Sequence, residues 1–172
     1  MTWVVLTGYM GAGKSSVGRR VASRIGRGFI DADAAIEAHA EMSISDIFAK
    51  RGEVWFRRTE EDVIRDLLAD EPSGVLALGG GALENKRTRG LVHRTAKVVW
   101  LRVNPEVAWA RVANSSRPLA QSEERFTRRA AQREPAYREA AHFIVDADAP
   151  LDQVVTRVAD WARRAATEGA QQ

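Results

Sequence analysis

The tightest constraint on the fold comes from a short segment near the start of the chain. Gly8-Tyr9-Met10-Gly11-Ala12-Gly13-Lys14-Ser15 fits the pattern G-x-x-x-x-G-K-[ST], and it follows an apolar run, WVVLTG, from Trp3 to Gly8. Behind it, from Ser15 to Ile25, Val17, Val21, Ala22 and Ile25 recur at helical spacing. A buried strand, a glycine-rich loop and a helix in that order make a phosphate-binding loop. The glycines let successive N–H groups turn toward one anion, and the helix adds its N-terminal N–H groups and its dipole. In such a loop the lysine, Lys14, reaches the β- and γ-phosphates of a nucleotide, and the hydroxyl of Ser15 ligates Mg²⁺. Gly11, Ala12, Gly13, Lys14, Ser15 and Ser16 are therefore the candidate ATP-binding segment, with Lys14 a candidate catalytic group.

The rest of the chain repeats the alternation of strand and helix. Further strands are expected at Gly28 to Asp31, Val75 to Leu78, Lys97 to Val103 and His142 to Asp146. Two or three helices are expected through Ile36, Ile44, Ile47 and Phe48 and along Val54 to Leu68, and a closing helix from about Leu151 to Ala165. This order predicts an α/β fold, a five-stranded parallel sheet with helices on both faces. In such sheets ligands sit beyond the carboxyl ends of the strands, and the polar motifs all fall there. With 172 residues, no internal repeat and no low-complexity linker, residues 1–172 read as one domain with a frayed tail from about 167 to 172.

Composition narrows the class. No apolar run approaches the roughly 20 residues of a membrane span, and the first residues lack a basic stretch and a small-residue cleavage site. There is no cysteine, hence no disulfide framework and no thiolate metal site, and His39, His93 and His142 lack metal-site spacing. A cytoplasmic enzyme without membrane attachment is expected. The net charge is +3, but Arg is interleaved with Asp and Glu, as in FRRTEEDVIRDLL, which reads as solvated helix faces and not as a stripe tracking nucleic acid. Asn85-Lys86 is followed by Arg87-Thr88, so the N-K-x-D motif of guanine binding is absent, and VLAL ends in Gly79-Gly80-Gly81, without the acidic residue of a motor ATPase. A small kinase for nucleotides or metabolites remains.

Several residues could hold the acceptor. Asp31 and Asp33 close the second expected strand as D-A-D, and i, i+2 spacing in a strand would turn both carboxylates to one cleft. Asp33 is equally placed to cap the helix that follows. Phe48, Phe56 and Arg57 suit either a ligand wall or a helical core with surface charge, with Glu60 one turn beyond Arg57 as an i, i+3 partner. The three glycines at 79–81 suit either close approach to a ligand or a plain tight turn.

Taken together, GYMGAGKSSVGRRVA, FIDADAAIE, SISDIFAKRGEVWFRRTEED, VLALGGGA, NSSRPLA and REPAYREAA resemble shikimate kinase along nearly the whole chain. The resemblance implies the P-loop kinase fold with strand order 2-3-1-4-5, an acceptor-binding insertion at about 32–60 and a lid at about 112–124. It implies transfer of the γ-phosphate of ATP to the 3-hydroxyl of shikimate, with one Mg²⁺ ion, in a monomer. It assigns Asp31 to the Mg²⁺ site through water, and Asp33 to the acceptor hydroxyls as the candidate base. It assigns Arg57 and Arg133 to the shikimate carboxylate, Phe48 and Phe56 to the carbon ring, and Gly79, Gly80 and Gly81 to the acceptor. Arg117 becomes the lid arginine over the phosphates and a catalytic residue, and Arg111 the residue near adenine. Two departures stand out: the lid is short, and it reads Arg117-Pro118-Leu119-Ala120 where a second leucine is usual. A related kinase for gluconate or a nucleotide, and a silent kinase-like interaction module, are the competing readings.

Overall fold

A computed structural model describes residues 2–70, 72–113 and 122–168, with residue 168 described by its backbone alone. Among them the chain forms β1 (Trp3–Thr7), α1 (Lys14–Ile25), β2 (Phe29–Asp31), α2 (Ala32–Ala40), α3 (Ile44–Ala69) and β3 (Val75–Ala77). A single 3-10 turn at Ala82–Glu84 follows, then α4 (Lys86–Thr95), β4 (Ala96–Arg102), α5 (Pro105–Val112), α6 (Glu123–Ala140), β5 (Phe143–Asp146) and α7 (Leu151–Glu168). The five expected strands are present, each within about a residue at either end. The closing helix runs to Glu168, beyond the start of the expected frayed tail. The expected lid lies largely outside the described residues, and Arg117 lies wholly outside them.

The sheet is parallel throughout, in the order β2-β3-β1-β4-β5. Each strand therefore returns through a helix, and both faces are covered. The alternation of β1 shows how. Val4 and Leu6 face α1 and α7, together with Val17, Val21, Val155 and Val158. Trp3 and Val5 face the opposite way, onto a core that includes Ile64 of α3, Val92 of α4 and Phe126 and Tyr137 of α6. Trp100 lies in that second core, and Trp161 stacks on Phe143 with ring centroids 5.1 Å apart.

The sheet order positions the site. From β1 the chain crosses to β2 on one side, and from β3 it crosses back to β4 on the other. The loop after β1 and the turn after β3 thus meet side by side where the winding reverses, the usual ligand crevice of such sheets.

The insertion has a core of its own. Ile36 from α2 packs with Ile47, Phe56 and Val63 from α3. The helix α3 is two helices meeting at Gly52, whose φ of 81° and ψ of 169° interrupt the helical backbone. Ser43 caps its first turn by accepting from the Asp46 N–H.

Candidate active site

The phosphate loop is built as the motif requires. Gly13 precedes α1 in the left-handed conformation, no side chain caps the helix, and no acidic residue lies in its first turn. The positive end of the helix thus meets no carboxylate of its own first turn. Gly11 adopts φ 80°, and a methyl group there would lie 2.6 Å from the Ala108 carbonyl of α5. Only glycine fits. The Lys14 ammonium donates to the carbonyls of Gly8, at 2.7 Å, and Tyr9, at 3.1 Å. Ser16 is exposed in the first turn of α1. Arg111 donates to the Gly11 carbonyl at 3.0 Å and to the Ala147 carbonyl at 3.2 Å, tying the loop to the segment after β5.

The D-A-D segment works differently from the strand pattern. The strand β2 stops at Asp31, and Asp31, not Asp33, is the cap of α2: its Oδ1 accepts from the Asp33 N–H at 3.1 Å. Its other oxygen, Oδ2, accepts from the Ser15 hydroxyl at 2.6 Å, which joins β2 to the phosphate loop. Asp33 sits in the first turn of α2 and points elsewhere. A methyl group on Gly79 would lie 2.7 Å from Asp33 Oδ1 and 3.2 Å from Glu60 Oε1. The i, i+2 alternation of a strand therefore does not apply here: Asp31 ends the strand and Asp33 belongs to the helix.

The glycine turn is the meeting point. A methyl group on Gly81 would come within 2.9 Å of the guanidinium nitrogens of both Arg57 and Arg133. One on Gly80 would lie 3.5 Å from Arg133 Nη1 and 3.7 Å from the Gly8 carbonyl of the phosphate loop. Arg57, Arg133, Asp33 and the phosphate loop, far apart in sequence, therefore surround three consecutive glycines.

Each arginine is held by a carboxylate. Arg57 Nη1 donates to Glu60 Oε2 at 2.7 Å, the i, i+3 pairing that the spacing suggested, and Nη2 lies 3.5 Å from Glu53 Oε1. Burial pushes the Glu60 carboxyl above its ordinary value; Arg57 beside it pulls it back down, and the charge of Asp33 adds to the rise. Arg133 lies on α6 with only 3% of its surface exposed, and its Nη2 donates to Glu84 Oε2 at 2.8 Å.

The two phenylalanines separate. Their ring centroids are 4.7 Å apart, but Phe56 is a core residue of the insertion, whereas Phe48 is 39% exposed. The Arg57 guanidinium lies 5.1 Å above the Phe56 ring, so Phe56 supports the arginine as well as the core. Trp55 is partly buried against the same core with Arg51 over its ring. An open cleft of about 390 Å³ runs beside Arg57, lined by Glu53, Val54, Arg58, Glu61 and Asn85.

Sequence reasoning missed three residues. Tyr137 donates its hydroxyl to the Gly80 carbonyl at 2.5 Å. It lies four residues after Arg133, on the same helix face, which was a usable signal. Tyr9, in the variable part of the phosphate loop, is buried edge-on against Phe126, with ring centroids 4.7 Å apart and the Arg133 guanidinium above its ring. Glu84, in the 3-10 turn, carried no sequence signal.

The family model described as Shikimate kinase matches residues 10–163. A curated shikimate kinase of Caulobacter vibrioides is 45% identical over 166 residues, which covers 94% of this chain and 82% of that protein. Among solved structures, shikimate kinase from Acinetobacter baumannii in complex with shikimate superposes with a TM-score of 0.83 at 33% identity, covering 99% of this chain and 94% of that one. The enzyme from Bacteroides thetaiotaomicron superposes with a TM-score of 0.84 at 29% identity, covering 94% and 98%.

Proposed function

Because the chain belongs to the shikimate kinase family, we propose that its two substrates meet over the Gly79–Gly81 turn. The enzyme is an ATP-dependent phosphotransferase with an alcohol as acceptor, and its reaction moves the γ-phosphate of ATP to the 3-hydroxyl of shikimate. The observation that carries the assignment of residues is the convergence of Arg57 and Arg133 on Gly81, with Asp33 on Gly79 and the phosphate loop beside Gly80.

Two guanidiniums suit a carboxylate, since each offers N–H donors in a fixed plane. Arg57 and Arg133 would take the acid group of shikimate at one end of the ring. Phe48 presents the exposed apolar face for the ring, with Phe56 behind it. Asp33 would hold the hydroxyl that is phosphorylated; positioning weighs more here than basicity, because phosphoryl transfer passes through a loose transition state. Gly11 to Ser16 would cradle the ATP phosphates, and Lys14 would exchange its loop carbonyls for phosphate oxygens. Arg111, which donates to the Gly11 carbonyl of the phosphate loop, would lie toward the adenine. Arg117 would close over the phosphates from the lid at about 112–124, excluding water so that ATP is not hydrolysed in place of transfer.

The Ser15 hydroxyl and the Asp31 carboxylate, 2.6 Å apart at the end of the loop, are hard oxygen donors that suit Mg²⁺. When bound with ATP, Mg²⁺ offsets the charge of the phosphate oxygens. Few protein ligands are expected, because Mg²⁺ takes much of its shell from phosphate and water. The chain is read as one kinase domain with its acceptor insertion at about 32–60, acting as a cytoplasmic monomer without nucleic-acid or membrane partners; among the described residues no helix is long and apolar enough to cross a membrane.

An ADP-release assay with Mg²⁺-ATP, run with shikimate, gluconate or AMP, tests the reading. A large rate with shikimate alone is expected. Turnover that follows gluconate or AMP instead would leave the phosphate loop in place and reassign the acceptor.

A further inference from the structure

Arg57 pairs closely with Glu60 and more loosely, at 3.5 Å, with the exposed Glu53, whereas the one close carboxylate on Arg133 is of a different kind from Glu60. Glu60, on Arg57, keeps only 4% of its side chain in contact with water, so it cannot leave its arginine without moving into the core. Arg133 is as deeply buried, at 4%, but its partner Glu84 is 46% exposed. Glu84 can rotate into solvent at little cost, and Glu60 cannot.

The nitrogen that Glu84 occupies matters. A methyl group on Gly81 would lie 2.9 Å from Arg133 Nη2, and Nη2 is the same atom that holds Glu84 Oε2 at 2.8 Å. An anion entering above Gly81 therefore meets a nitrogen that already carries a carboxylate. Two carboxylates on one guanidinium edge repel each other.

We propose that Glu84 sets the affinity for the acceptor as an internal counter-ion, one that compensates Arg133 in the free protein and gives up Nη2 to the carboxylate of the acceptor. The idea rests on the reading of Arg57 and Arg133 as the carboxylate-binding pair. It has two consequences. An anionic acceptor binds less tightly than the two arginines alone would allow, because it must displace Glu84. A neutral acceptor of the same shape has no charge with which to displace Glu84 and leaves the Arg133–Glu84 pair in place, so Glu84 tempers the advantage that the two arginines give the acid group.

Glu84→Gln tests this, since it keeps the shape and an oxygen that Arg133 can donate to but removes the charge. The KM for shikimate should fall by at least about threefold, with the change in KM and not in kcat, and the KM for ATP should not follow. The methyl ester of shikimate, which lacks the negative charge, should gain nothing. Shikimate should also raise the melting temperature of the variant by more than that of the wild type. A shikimate KM that rises would show that Glu84 holds Arg133 in place for the substrate, and an unchanged KM would show a spectator; either result overturns the proposal. Wild-type protein without shikimate-dependent turnover would instead remove the carboxylate-pair reading on which it stands.

Discussion

Arg57 and Arg133 reach Gly81 from different elements, one from α3 and one from α6, and their value lies in planar geometry as much as in charge. A lysine at either position would keep the charge and lose the fixed pair of donors. Arg57→Lys should therefore raise the KM for shikimate by about tenfold, in line with loss of one charge-assisted hydrogen bond, with little effect on the KM for ATP; steady-state kinetics with each substrate varied in turn would show it. Tyr137 acts one step removed. Its hydroxyl donates to the Gly80 carbonyl, and burial pushes the phenol above its ordinary pKa, so it stays a donor across the working range. Tyr137→Phe would leave that carbonyl short of a partner in the proposed acceptor turn. A loss of about 1–3 kcal/mol in urea unfolding is expected, with a fall in kcat as the turn loosens. Arg57 and Glu60 were legible as an i, i+3 pair because both lie on one helix. Arg133 with Glu84 was not, since that pair spans 49 residues and no local spacing encodes it.

At the scale of elements, the insertion presents Arg57 by means of a break. Gly52 separates the first turns of α3, which carry Ile47 and Phe48, from the segment carrying Phe56, Arg57 and Glu60. Its φ of 81° with ψ of 169° falls in a region open in practice only to glycine, yet a methyl group there would touch nothing within 4 Å. Gly52→Ala should thus cost about 1–3 kcal/mol through backbone strain alone, and should raise the KM for shikimate as the two halves re-angle. Chemical denaturation together with kinetics separates the two effects; a stable variant with normal kinetics would show that the angle is unimportant. The sequence announced helices on both sides of this point but not the bend, because a lone glycine in a helical pattern is more often simply tolerated. The D-A-D segment teaches the converse. It read as the end of a strand, and the helix begins two residues earlier than that reading allowed, because Asp31 and not Asp33 is the cap and accepts from the Asp33 N–H.

For the molecule as a whole, both faces of the sheet are closed, and its acid sensitivity should appear at β4 and β5. His142 Nδ1 accepts from the Val98 N–H at 3.1 Å, and its ring lies parallel to His93, 4.5 Å away. Burial holds the His142 pKa below its usual value, and the charges of His93 and Lys97 push it further down. The unfolded chain therefore takes up this proton more readily than the folded one. The stabilisation is complete above about pH 6.5, the value of a free histidine, and is lost as pH falls from there through the lowered folded pKa. Melting temperatures measured from pH 8 to 5 should decline below about 6.5, and His142→Gln should flatten that part of the curve. The sequence by itself determined the phosphate loop, the five strands and the parallel α/β class, since each rests on local periodicity or on a short contiguous motif. Tertiary structure alone decided that the loop after β1 and the turn after β3 lie side by side, and that Asp33, Arg57 and Arg133 close on the same three glycines. Those contacts join residues tens of positions apart, and they arise from sheet order and core packing, which no spacing along the chain records.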